Sequence, residues 1–203
     1  MAAVNDHALL VRQSDLQREA ATFVRELGRI EMLGSAGRVL QLGSAVTGLM
    51  VWRDVDFCVD APGLTSDAAW ETMRSMLGRC SSLHYANDNE ERRHYFVMRI
   101  EAWKVDVSFW FAGVPPAVEA FQAELPARLT QESRLAILRL KDLWHRLPHY
   151  PEIVGAWEIY DAVLNHEVRT YDALDAFLAA RGLPTRRFSR YAGGRGVDKH
   201  EQE

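Results

Sequence analysis

The sequence predicts an α+β fold: a mixed β-sheet lobe with helices on one face, followed by a small C-terminal helical bundle. Three observations lead there. Apolar residues recur first at helical spacing and then in short alternating runs. Three such runs form a meander, and from Pro115-Pro116 onward only helical periodicity is left. At 203 residues, 48% of them hydrophobic, the chain can bury the core of one domain or two small lobes.

Taken in order, Ser14-Asp15-Leu16-Gln17 reads as a capping box, and Leu16, Ala20, Phe23, Val24, Leu27 and Ile30 follow at helical spacing until Gly34. An apolar strand, Val39 to Leu42, then runs into the turn Gly43-Ser44, where a short helix begins. A second strand carries Asp54 and Asp56. Thr65 or Ser66 caps a helix through Trp70, Met73 and Leu77 to about Arg79. Strands Ser81 to Ala86 and His94 to Glu101 flank a polar loop over 87–92, and Glu101-Ala102-Trp103 turns into the strand of Asp106. Proline ends that strand and suits the first turn of a helix. Helices are expected over about Ala117 to Leu125, Glu132 to Leu147, Pro151 to Asn165 and Thr170 to Arg181. The domains read as 1–114, a helical 115–183, and a basic, glycine-rich tail over 184–203 that is expected to be mobile.

Side chains two apart on a strand project to one side, so Asp54 and Asp56 face the same way. Two carboxylates held together in an apolar strand raise each other's pKa unless a cation sits between them. Oxygen-only ligands of this kind suit Mg²⁺ or Mn²⁺. Asp106 alternates with Val105 and Val107 and faces away from the layer those residues enter. An Asp-x-Asp pair on a solvated strand, or a Gly-Ser turn serving as a helix cap, is commonplace taken singly. Their joint occurrence in this order, with Asp106 in an otherwise apolar strand, favours the functional reading. Gly43 permits close backbone approach, while Ser44 and the following amides could hold phosphates. With 21 Arg against 3 Lys, Lys104 and Lys141 stand out slightly.

The Gly-Ser pair, the nine-residue spacer Ala45 to Arg53 and the Asp-x-Asp flanked by apolar residues together resemble the signature of the polymerase-beta-like nucleotidyltransferase superfamily. The resemblance covers roughly residues 38 to 111, and it departs at Arg53, where many relatives have a small serine or threonine. It implies that Asp54, Asp56 and Asp106 bind Mg²⁺ or Mn²⁺ and carry catalysis, and that Gly43 and Ser44 hold a nucleoside triphosphate such as ATP. Several branches bring a lysine from the helical lobe to the triphosphate, which makes Lys141 a candidate. An exposed lysine beside Asp142 is an equal alternative. In kind the chain resembles small antibiotic-modifying enzymes, which transfer AMP to a hydroxyl of an aminoglycoside or lincosamide and release pyrophosphate. A protein-modifying nucleotidyltransferase of a toxin–antitoxin type system and a non-catalytic nucleotide-binding module stay open.

A formal net charge of −4 argues against nucleic acid as a partner. From Pro115 to Gly182, 10 Asp and Glu stand against 7 Arg and Lys, which favours a small cationic acceptor beside the nucleoside triphosphate. No run of about 18 apolar residues suggests a membrane, and Met1 to Gln17 lacks a leader's pattern, so a soluble cytoplasmic protein is expected. Cys58 and Cys80 have no metal-type spacing, and Pro148 breaks the face that His145 and His149 would need for zinc. A Walker phosphate loop, a dinucleotide glycine fingerprint and a Gly-x-Ser-x-Gly elbow are all missing.

Overall fold

The computed structural model describes residues 5–28 and 30–186. A five-stranded sheet has the order β1-β2-β5-β4-β3, formed by β1 (Arg38–Leu42), β2 (Asp54–Asp60), β3 (Cys80–Asp88), β4 (Arg93–Ile100) and β5 (Trp103–Trp110). β2 and β5 run parallel, and every other pairing is antiparallel, so the sheet is mixed as expected.

Alternation sorts the strands into two faces. Val55, Phe57 and Val59 pair in register with Val105, Val107 and Phe109, and all six are buried. They pack with Phe96 and Met98 against α1 (Asp6–Leu27), α2 (Ile30–Leu33), α3 (Ser44–Thr47) and α4 (Ser66–Leu77). At β-strand spacing, the intervening residues Asp54, Asp56, Lys104 and Asp106 must emerge on the other face. One end of that second face is closed by α5 (Pro116–Arg128), whose Val118 packs near Cys58 and Trp110.

A second core joins α5 to α6 (Gln131–Trp144), α7 (Ala156–Asn165) and α8 (Tyr171–Ala179). Leu49 and Val51, from the loop between α3 and β2, are buried within it. Lys141 Nζ donates to the Leu49 carbonyl at 2.9 Å, and Arg134 donates to the Gly48 carbonyl at 2.7 Å. The helices therefore grip the loop that leads into the aspartate strand.

Several boundaries differ from expectation. α1 is capped by Asn5, whose side chain accepts from the His7 amide at 3.0 Å, and Ser14 lies within the helix. The buried stripe begins at Leu9 and Gln13, so packing carries the helix back past the expected cap. The helix stops at Gly28 in the left-handed conformation, φ 61°, before Gly34 is reached. α5 runs on past Pro126 to Arg128. α7 begins only after Gly155, whose amide donates to Glu158 Oε2 at 2.7 Å. Of the tail, residues 187–203 lie outside the described residues, while Arg186 is ion-paired with Asp172 and, at 2.8 Å, Asp175. Among the described residues no helix is long and apolar enough to cross a membrane.

Candidate active site

The parallel β2–β5 register places Asp56 directly beside Asp106 and Asp54 beside Lys104. One oxygen from each of Asp54, Asp56 and Asp106 lies within 4.8 Å of the other two. These are the three carboxylates singled out in the sequence, and the crossover that separates them by fifty residues in the chain returns them to adjacent strands. Burial penalises their charge. The Asp54 carboxyl is pushed up to about 6 by burial, with Asp106 adding to the shift and Lys104 opposing it. Burial raises Asp56 well above the usual carboxylate range too, followed by the charges of Asp54 and Asp106.

The oxygens fit a hard divalent cation. Asp106 is 8% exposed, and its Oδ1 is buried without a hydrogen-bond partner; Asp54 Oδ1 makes no hydrogen bond either, though the Lys104 ammonium lies 3.5 Å from it. Enclosed carboxylate oxygens left unpaired are costly, and a cation is the ligand that offsets that cost. The other oxygen of Asp106 is occupied: Tyr95 Oη and Lys104 Nζ both donate to Oδ2 at 2.6 Å. Burial disfavours the Lys104 ammonium, but Asp54 and Asp106 outweigh it and hold its pKa above the ordinary lysine value. Burial and then Asp106 push the Tyr95 phenol above its usual pKa, so it stays a donor.

The Gly-Ser turn closes against the carboxylates. A Cβ on Gly43 would fall 2.0 Å from Asp56 Oδ2, and φ is +76°, so only glycine fits both the space and the backbone. The Gly43 amide is not free for phosphate, because it donates to Gln122 Oε1 of α5 at 3.1 Å. α3 is a single turn of four residues, too short to add much of a dipole. Ser44 is 6% exposed, and its hydroxyl has no partner among the described residues, which leaves it available.

Lys141 is 1% exposed, where the sequence left an exposed side chain as an equal alternative. Besides the Leu49 carbonyl it donates to Tyr160 Oη at 3.2 Å. Its charge reaches the site through space and lowers the pKa values of Asp54 and Asp56.

Three neighbours were missed from the sequence. Alternation in β4 places Arg93, Tyr95, Val97 and Arg99 on the carboxylate face, so the signal for Tyr95 was legible once β4 was paired with β5. Lys104 drew notice for the scarcity of lysine, but not for its place two residues before Asp106 on the same face. Gln122 comes from another helix and has no local signal.

No protein-family model matches the sequence, and no curated protein matches it. Solved structures do match. One of Cid1, described for its RNA terminal uridylyl transferase activity, superposes with a TM-score of 0.51 at 12% identity, over 77% of this chain and 47% of that one. The Cid1 poly(U) polymerase with Mg 3'-dATP bound gives 0.49 at 14% identity, over 66% and 42%. A cytoplasmic RNA terminal U-transferase gives 0.49 at 13%, over 78% and 51%. The chain thus spans about half the length of these structures. The likeness is one of fold, a mixed five-stranded sheet with helices that this chain has in common with Cid1.

The comparison corrects the expectation that nucleic acid is an unlikely partner beside a small hydroxylated acceptor. The Cid1 structure of similar fold is described for an RNA terminal uridylyl transferase activity. Whole-chain charge was the wrong gauge. A sum of −4 averages every surface, whereas single-stranded nucleic acid meets the local charge of one groove.

Proposed function

We propose that this protein is a metal-dependent nucleotidyltransferase that adds a nucleoside monophosphate from a nucleoside triphosphate to an RNA 3′ hydroxyl. One observation carries the reading: Asp54, Asp56 and Asp106 converge, each within reach of one ion, with orphaned oxygens and against a Gly-Ser turn. The RNA acceptor is supported by the described activity of Cid1, whose fold this chain shares.

In this reading the three aspartates hold Mg²⁺ or Mn²⁺, which when bound would neutralise phosphate charge and act as a Lewis acid. The chain's own groups then position the reactants. Ser44 offers a hydroxyl to a terminal phosphate, and Gly43 removes the side chain that would keep the triphosphate away from Asp56. Asp106, fixed by Tyr95, would orient the acceptor hydroxyl and take up its proton as the new bond to the α-phosphate forms and the bond to the departing pyrophosphate breaks. Lys141 adds positive charge from behind the Leu49 loop. A catalytic mechanism of this type is mostly positioning and charge neutralisation.

The test is incubation of the protein with Mg²⁺, each α-labelled nucleoside triphosphate in turn, and an RNA oligonucleotide with a free or a blocked 3′ end. Labelled, lengthened RNA only with the free end is expected. Label on a polypeptide would replace the acceptor and keep the chemistry. Tight nucleotide binding with no pyrophosphate release would favour the non-catalytic module.

A further inference from the structure

Lys104 occupies an unusual place for an ammonium group. It stands opposite Asp54 in the β2–β5 register and is 9% exposed. Nζ lies 2.6 Å from Asp106 Oδ2, 3.5 Å from Asp54 Oδ1 and 5.6 Å from the centroid of the Trp52 ring. Asp56, in the same cluster, makes no ion pair among the described residues, and Asp106 Oδ1 is buried without a partner. The cluster is therefore asymmetric. One side already holds a cation carried by the chain, and the other side offers only bare oxygens.

We propose that Lys104 is a tethered cation filling the position between Asp54 and Asp106, so that the cluster takes a single divalent ion, held by Asp56 with the remaining oxygens of its two neighbours. The inference rests on the reading of these carboxylates as a metal site. Charge balance supports it. Three carboxylates and one ammonium leave two negative charges, which one divalent ion cancels. A second ion would have to enter against the ammonium at close range, in an enclosed site where like charges repel strongly. The two cations also differ in kind. An ammonium donates three hydrogen bonds and neutralises charge, but it has no vacant coordination position with which to acidify a bound hydroxyl. Lys104 thus serves as a fixed positioning charge, and any acidification of a hydroxyl would be left to the one exchangeable ion.

The test is a Mn²⁺ titration of the full chain followed by electron paramagnetic resonance, in wild type, Lys104→Met and Lys104→Arg. The ion that counts is the one whose tight binding Asp56→Asn abolishes. Wild type and Lys104→Arg should bind one such ion. Lys104→Met should take up a second and hold the first about tenfold more tightly, a modest effect for removal of a neighbouring charge. Two tight ions in wild type, or equal counts in wild type and Lys104→Met, would overturn the inference and leave the metal site standing. Tight binding of no ion at all would overturn both. Should Lys104→Met fail to fold by circular dichroism, the wild-type count decides the matter alone.

Discussion

Strands β2 and β5 build two opposite faces from alternate residues of the same two segments. On one face Val55, Phe57, Val59, Val105, Val107 and Phe109 are at most 2% exposed. On the other, Asp54, Asp56, Lys104 and Asp106 crowd charges into an enclosed space. Each fully buried apolar side chain contributes about 1.5 to 3 kcal/mol, while enclosed carboxylates cost free energy until a cation arrives. The contrast teaches that the apolar face holds the strands in register and thereby forces the charges together. Because the side-chain period is two, a slip of one residue would exchange the faces, so the apolar face also fixes which carboxylates meet.

The sharpest way to break this division is Asp56→Asn. Transfer of label to the acceptor should fall below detection, while the metal-free melting temperature stays level or rises, because burial and the neighbouring carboxylates already disfavour the charge. Retained transfer with a lower melting temperature would reverse the assignment. Phe57→Ala probes the other face. It should cost about 3 to 5 kcal/mol of stability by urea denaturation, as large-to-small changes in a core do, and a loss under about 1 kcal/mol would mean that the apolar face is not what holds the strands. Ser44→Ala should leave the urea midpoint unchanged and weaken triphosphate binding by about 1.5 to 3 kcal/mol, the range for a hydrogen bond to a charged group. Equal affinities by calorimetry would remove Ser44 from the site.

The smallest effect concerns pH in the absence of metal. The folded Asp54 carboxyl, at about 6, lies above an unfolded value of ~3.9, so the native state keeps a proton that the unfolded chain has lost. Its contribution to stability is therefore present below about pH 4 and is lost as pH rises through 6. In EDTA, wild type should lose about 1 to 2 kcal/mol relative to Asp54→Asn across that window. Parallel urea midpoints at the two ends of the window would show that the charged carboxylate is not disfavoured. Saturating Mn²⁺ should abolish the difference, since the ion binds the deprotonated form.

Much of this was legible in the sequence because it depends on local periods. Alternation gave the shared face of Asp54 and Asp56 and set Asp106 off the apolar layer of its own strand, while the meeting of all three was implied by the resemblance and the closeness of Gly43 to Asp56 is a finding of the structure. Helix ends were less legible. Ser14 satisfies a capping pattern, yet Leu9 and Gln13 extend the buried stripe, and packing outweighed the local signal. The partners Gln122 and Tyr160 were illegible as such, because each reaches its contact from a helix distant in the chain. Lys141 could not be assigned to core or surface by spacing alone, since what decides its burial is the Leu49 carbonyl, 92 residues away.

The loop that carries Leu49 and Val51 has a consequence for how far the molecule can be divided. Residues 48–51 lie in sequence between the Gly43-Ser44 turn and the aspartate strand, but the Leu49 and Val51 side chains and the Gly48 and Leu49 carbonyls are taken up by the helices that follow the sheet. A fragment ending near Pro115 would leave Leu49 and Val51 uncovered beside its own aspartate strand. The sheet is accordingly not a portable module, and a split or a graft placed at the double proline should yield halves that recover solubility only when expressed together.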